Sequence, residues 1–153
     1  MDDDEEKIVA TVEGCFFKYN FIKDYGIDII DLADSISGDT CQAITTLENN
    51  SLFTKEDIEY RSLICYLRRL YVYPKYRNNS VATYIYNNLR EIFEYITSDQ
   101  ISIIITLPCP QNPISGGRWG NTGDEIMLEK MVKLLNKQKY KFLEDGVYYK
   151  SYI

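Results

Sequence analysis

The chain contains no histidine. Without an imidazole it cannot build a Ser-His-Asp or Cys-His catalytic arrangement, and histidine metal sites are excluded as well. Its four cysteines, Cys15, Cys41, Cys65 and Cys109, form no C-x-x-C pair, which argues against a zinc or thioredoxin-like site. The sequence also lacks a signal-peptide pattern and an apolar run long enough to span a membrane. We therefore expect no membrane partner and a cytoplasmic location.

The negative charge is concentrated at one place. The formal net charge is -6, but residues 2–6 are five consecutive acids, and without them 18 acidic residues face 17 basic ones. We expect residues 1–7 to be an acidic, flexible N-terminus and residues 8–153 to be a single, nearly neutral domain. A body without a large basic face argues against a nucleic-acid partner.

Strands are expected to fill much of the first half. Residues 7–21, "KIVATVEGCFFKYNF", are β-branched and aromatic and predict a strand, or a hairpin bent at the glycine. Residues 25–36, "YGIDIIDLADSI", fit both a strand and a helix, and we favour the strand. Ser37 or Asp39 then caps a short helix.

The spacing of the apolar residues changes twice in the second half of the chain. Residues 61–72, "RSLICYLRRLYV", predict a buried central strand that Pro74 ends. From Ser80 the apolar residues recur at helical spacing, and residues 101–107, "ISIIITL", predict a second buried strand. Such a strand–helix–strand unit implies a crossover connection with parallel pairing of the two strands.

The remaining residues complete a mixed α/β (α+β) sheet with helices on both faces. Residues 108–123 contain three prolines and four glycines and predict a loop. Asp124 begins an amphipathic helix, and residues 140–153 predict a strand, a turn and a strand.

The stretch "VYPKYRNNSVAT", residues 72–83, joins the central strand to the following helix. The first N–H groups of a helix have no intrahelical partner, and the helix dipole adds about half a positive charge there. Arg77 adds a planar fork of donors suited to phosphate oxygens. The segment is therefore either an anion site or an ordinary turn with a capped helix. It matches neither the Walker A nor the dinucleotide-binding pattern.

The longer segment "LRRLYVYPKYRNNSVATYIYNNL" resembles the signature of the GNAT superfamily of acyl-CoA-dependent N-acyltransferases. The matching residues are Val72, Pro74, Tyr76, Arg77 and Ala82, and a serine replaces the usual glycine at position 80. We expect this serine to lie in an ordinary first helical turn rather than at positive φ. The element order and the segments "ITLPCPQNP" and "LLNKQKYKFLEDGVYYK" also resemble the family.

The resemblance implies a GNAT-like domain that transfers an acetyl (acyl) group from acetyl-CoA, as co-substrate, to a primary amine, with no metal. The acceptor would be a small-molecule amine, or a peptide N-terminus or lysine, and the enzyme a monomer or homodimer. By match to the family, the coenzyme A residues are Leu70, Tyr71, Val72, Arg77, Asn78, Asn79, Ser80, Val81, Ala82 and Thr83.

The acid and base groups of the family have no counterpart here, so the catalytic residues are unknown. The place of a frequent glutamate is taken by Arg69, and that of a frequent tyrosine by Leu135. Arg69 is either a clamp for a substrate carboxylate or, as we favour, the partner of a neighbouring acid. The departures leave two alternatives: a catalytically degenerate coenzyme A-binding sensor or interaction module, and an unrelated α/β interaction domain.

Other polar and aromatic residues offer either chemistry or packing. Trp119 either covers a substrate or anchors its loop. The candidate bases and acids, each of which also suits a surface or packing role, are Glu13, Glu59, Tyr73 and Tyr149.

Overall fold

The computed structural model describes residues 5–54, 56, 58 and 63–152, and these form a mixed α/β domain. The described strands are β1 (Ala10–Phe17), β2 (Leu63–Val72), β3 (Ile101–Thr106), β4 (Gln111–Ile114), β5 (Arg118–Asn121), β6 (Lys141–Glu144) and β7 (Val147–Ser151). The described helices are α1 (Tyr19–Asp24), α2 (Ile29–Ile36), α3 (Gly38–Asn49), α4 (Val81–Thr97) and α5 (Glu125–Lys137). None of these helices combines the length and apolar character needed to cross a membrane.

The central sheet has the strand order β1-β2-β3-β7-β6, and β4 pairs with β5 in a separate hairpin. β2 and β3 are parallel, as the strand–helix–strand pattern predicted, while the other neighbours in the sheet are antiparallel. The mixed sheet is thus confirmed. The hairpin was not expected, since residues 108–123 were interpreted as loop.

The first half is more helical than the sequence indicated. The strand predicted through residue 21 ends at Phe17, and α1 follows it. The strand favoured for residues 25–36 is wrong: the side chain of Asp28 accepts hydrogen bonds from the N–H groups of Ile30 and Asp31, at 2.9 and 3.0 Å, and so begins α2. Ser37 caps α3 as predicted, because its hydroxyl accepts from Thr40 N–H at 3.1 Å.

Two hydrophobic clusters lie on opposite faces of the sheet. Successive side chains of β2 alternate between the two faces, so that Ile64 and Tyr66 belong to one cluster and Cys65 and Leu67 to the other. The first cluster is completed by helices α1, α2 and α3, and the second by α4 and α5. Helices therefore cover both faces, in agreement with the sequence-based expectation.

An irregularity interrupts the pairing of β1 with β2. Glu13 is opposite Arg69 and Gly14 is opposite Leu67, so Arg68 is an extra residue on β2. Gly14 also allows α4 to approach the sheet closely, because a Cβ there would lie 3.3 Å from the ring of Phe93 on that helix. The bulge falls at the point where the candidate site begins.

Candidate functional site

The site opens where β2 and β3 part. Their pairing ends with Leu67 opposite Thr106, whose hydroxyl donates to the carbonyl of Leu67 at 3.0 Å. On its other side β2 stays paired with β1 as far as Val72, which is opposite Ala10. Residues 68–72 therefore continue as a strand after β3 has ended, and their β3-facing edge borders a cleft.

This cleft has a volume of about 430 Å³ and lies between the end of β2, the start of α4, the segment after β3 and one face of α5. Its size is within the usual range of small-molecule sites. Nine of the ten residues that the resemblance assigns to coenzyme A line it, the exception being Asn79. The amide of Asn79 instead donates to the carbonyls of Tyr76 and Arg77, at 3.4 and 3.2 Å, within the loop.

The loop before α4 has an unusual backbone. Asn78 and Ser80 both adopt the left-handed conformation, with φ of 62° and 59°. The expectation that Ser80 lies in an ordinary helical turn is therefore wrong: it is the N-cap residue of α4, with ψ of 18°, and its side chain makes no capping hydrogen bond. Left-handed residues before a helix turn successive N–H groups towards one side, an arrangement suited to an anion.

The first turn of α4 presents unpaired backbone donors to the same place. The first backbone bond of the helix runs from Tyr84 N–H to Ser80 C=O at 2.9 Å, so the N–H groups of Val81, Ala82 and Thr83 precede the helical ladder. These three residues line the cleft. The positive end of the helix dipole thus faces the open space.

Arg77 is held against the end of β2. Its Nε donates to the carbonyl of Val72 at 2.8 Å, and its guanidinium carbon lies 5.1 Å from the centre of the Tyr71 ring. Because one donor orients the planar group, the remaining N–H donors keep a defined position at the cleft wall.

Arg69 is held by neighbours within the protein. Its side chain is 8% exposed, forms an ion pair with Glu13, and donates through Nε to Gln111 at 2.9 Å. Its guanidinium carbon also lies 4.1 Å from the ring centre of Trp119. The ion pair favoured from the sequence is present, and Arg69 and Trp119, which the sequence suggested separately as substrate residues, are in contact. Trp119 in turn packs edge-on against Tyr71 at 5.0 Å, so it anchors the β4–β5 hairpin.

A second cavity of about 530 Å³ adjoins the cleft and shares part of its lining. It lies among Glu13, the start of α3, the β2 bulge and the β4–β5 hairpin. The two cavities share a border of five residues, which are Arg68, Arg69, Leu107, Cys109 and Gln111. The bulge explains this border, since Arg68 and Arg69 both reach Glu13 from adjacent positions on β2.

The candidate acids and bases are not all brought together. Glu13 lines the second cavity, whereas Tyr73 and Tyr149 line neither one, and Tyr149 packs edge-on against Phe53 at 5.3 Å. Glu59 lies outside the described residues. Leu135 is 1% exposed in the second hydrophobic cluster and also lines the cleft that contains Val72 and the Arg77–Ala82 loop.

Burial governs the ionisation of the groups around the border. It raises the pKa of the Cys109 thiol, and the nearby carboxylate of Asp39 raises it further. Burial lowers the pKa of Arg69, against the opposing effect of Glu13. The pKa values of Tyr66 and Tyr86 are raised mainly by desolvation. These phenols and this thiol therefore stay protonated at neutral pH.

Sequence reasoning missed Arg68 and Gln111. The two consecutive arginines were visible, but regular strand alternation would place them on opposite faces of the sheet, and a bulge has no clear sequence signal here.

Comparisons with protein-family models, with curated proteins and with solved structures return no significant match. Within residues 5–54, 56, 58 and 63–152, no group of three or more cysteine or acidic side chains is placed to hold a metal ion.

Proposed function

We propose that the protein is a GNAT-like N-acyltransferase that moves an acetyl group from acetyl-CoA to a primary amine. The observation that carries the proposal is the coincidence of three features at one cleft: the parted ends of β2 and β3, the left-handed loop, and the free N–H groups that begin α4. The sequence resemblance covers the same residues.

Each feature suits one part of the coenzyme. The N–H groups of residues 81–83 and the guanidinium of Arg77 offer donors to a pyrophosphate. The β3-facing edge of residues 68–72 offers backbone groups that an extended pantetheine arm would pair with, as an added strand does. The thioester would then lie near the border with the second cavity.

The proposed reaction needs little from acidic side chains. The amine nitrogen forms a bond to the thioester carbonyl carbon, the carbon–sulfur bond breaks, and its electron pair leaves on sulfur. The proton lost by nitrogen passes through water to the thiolate. Backbone N–H groups of the β2 edge would stabilise the oxyanion, and positioning in the two adjoining cavities would supply the remaining rate enhancement.

A second candidate is a coenzyme A-binding module without catalysis. It is favoured by Leu135, since an apolar side chain occupies the place where the family often has a proton donor. Arg69 stands at the place of a frequent glutamate, and its guanidinium, which stays protonated and is bonded to Glu13 and Gln111, cannot serve as a base.

The test measures binding and turnover separately. Acetyl-CoA is titrated against the protein by calorimetry, and free-thiol release is then followed with a panel of amines. Binding with thiol release supports the enzyme, and binding without release for any amine supports the module. Absence of binding would overturn both candidates.

A further inference from the structure

The second cavity carries an excess of positive charge near the border with the cleft. Five ionisable side chains line it that are charged at neutral pH, three of them arginines and two of them acids. They are Arg68, Arg69, Arg118, Glu13 and Asp39. How these groups are paired decides what the cavity can bind.

One of the two acids forms a close ion pair with one of the arginines. Glu13 forms a close ion pair with Arg69, which also donates to Gln111 and is 8% exposed. Arg68 approaches the other oxygen of Glu13 at 3.7 Å, too far for a hydrogen bond, and its side chain is 36% exposed. Arg118 is exposed and reaches the carbonyl of Ser115 at 3.4 Å. Arg68 and Arg118 therefore keep most of their donors available to a ligand.

We propose that the second cavity binds an acceptor with a carboxylate next to its primary amine, that is, a free α-amino acid, and that Arg68 binds that carboxylate. The inference rests on the proposed function for the role of the amine. A guanidinium fork matches a carboxylate with two parallel hydrogen bonds. Because Arg68 lines both cavities, a carboxylate held by its guanidinium would lie at the border with the cleft. In an α-amino acid the amine nitrogen is two bonds from the carboxyl carbon, so it would lie beside the same border.

Other acceptors suit this charge arrangement poorly. A polyamine would bring further positive charge against Arg68 and Arg118, which is unfavourable at close range. A peptide N-terminus has a neutral amide in place of the carboxylate, so the fork of Arg68 would gain no charged partner. The proposal thus separates free amino acids from the small basic amines and peptides that the sequence leaves open.

The experiment compares pairs of acceptors that differ in this charge alone. Thiol release from acetyl-CoA is measured with alanine, leucine, phenylalanine and glutamate, each against its α-carboxamide. We expect the acid of the best pair to exceed its amide at least tenfold in kcat/KM. Arg68→Gln and, separately, Arg118→Gln should reduce that ratio through the KM of the acid. Arg90→Gln, a matched change on α4 outside both cavities, should leave the ratio unchanged.

A binding arm keeps the inference testable if no amine is acetylated. The N-acetyl derivatives of the same amino acids and their amides are titrated against the wild-type protein and the Arg68→Gln variant. Binding of the acids that Arg68→Gln removes would support the carboxylate site even where the acyltransferase proposal had failed. The inference is overturned if amides bind or react as well as acids, if no acid binds, or if Arg68→Gln retains the preference.

Discussion

Replacing Ser80 with glycine is expected to stabilise the protein slightly. Ser80 has φ of 59°, and its side chain makes no capping hydrogen bond, so removing the side chain loses no bond of the folded protein. Ser98 at the opposite end of α4 has φ of 54° and is exposed. Ser98→Gly is therefore a matched control with the same backbone conformation away from the cleft.

The size of the effect follows from two opposing contributions. Relief of the contact between Cβ and the backbone in the left-handed conformation contributes about 1–2 kcal/mol. The greater freedom of glycine in the unfolded chain offsets roughly 0.4–1 kcal/mol of this. The net gain in the free energy of unfolding is thus about 0.5–1 kcal/mol, or a rise of about 1–4 °C in Tm for a domain of this size.

Denaturant titration and thermal melting of Ser80→Gly, Ser98→Gly and Ser80→Val test this reasoning. The two glycine variants should gain similar stability, while the β-branched valine should lose stability because it tolerates positive φ poorly. Ser80→Val alone should also weaken acetyl-CoA binding, since it disturbs the loop beside the cleft. A loss of stability in Ser80→Gly, or an unchanged Ser80→Val, would refute the assigned conformation.

The remaining predictions concern the cleft and one surface ion pair. Arg77→Ala should weaken coenzyme A binding by about 1.5–3 kcal/mol and pantetheine binding much less. Lys75→Ala, at an exposed position two residues earlier, should leave both affinities near wild type. Equal losses of affinity for the two ligands would contradict a phosphate contact. Leu135→Tyr should lower the free energy of unfolding by about 1–3 kcal/mol in denaturant titration, because the leucine side chain is only 1% exposed. Wild-type stability with raised turnover would instead mean that the cleft has room for a proton donor. A hydrogen bond from Lys18, at 2.8 Å, lowers the pKa of Asp99, so its stabilisation is present above the unfolded pKa of about 3.9 and is lost as the pH falls through the folded value. Asp99→Asn should therefore lower stability at pH 7 by at most about 1 kcal/mol, and the difference should shrink as the pH falls through the folded pKa of Asp99. A difference that stays constant as the solution is acidified would exclude the linkage.

The strand–helix–strand unit was predictable because its residue types and its hydrophobic spacing favour the same secondary structure. β3 and the first half of β2 are nearly continuous apolar runs, Pro74 follows β2, and the apolar residues between the two strands recur at helical spacing. The cap of α5 was equally readable, since the side chain of Asp124 accepts from Met127 N–H at 3.0 Å. Local chemistry and tertiary packing agree at these positions.

The secondary structure of the first half could not be predicted correctly because its hydrophobic spacing fits both a strand and a helix. Ile29 and Ala33 form the buried face of α2, but the intervening isoleucine and leucine also fit a strand. The capping carboxylate of Asp28 was the decisive local signal, and it was overlooked. The apolar residues themselves do not distinguish the two structures.

The candidate site was predictable as a set of residues but not as a shape. The resemblance assigned ten residues to coenzyme A, and nine of them line one cleft. The left-handed Ser80 and the bulge at Arg68, however, depend on backbone geometry that residue types do not specify. The contact between Arg69 and Trp119 joins positions 50 residues apart, which pairing of β4 with β5 brings together. Long-range contacts of this kind follow from the topology of the fold.

Calorimetric titration of acetyl-CoA against the wild-type protein, Ala82→Phe and Asn87→Phe tests the central claim most directly. Ala82 lies in the first turn of α4 and lines the cleft, whereas Asn87 is exposed on the same helix outside it. The account predicts one saturable site in the wild-type protein and in Asn87→Phe, with affinity at least tenfold lower in Ala82→Phe, because a bulky side chain blocks close approach to the backbone donors. No binding to the wild-type protein, or equal binding to all three, would contradict it.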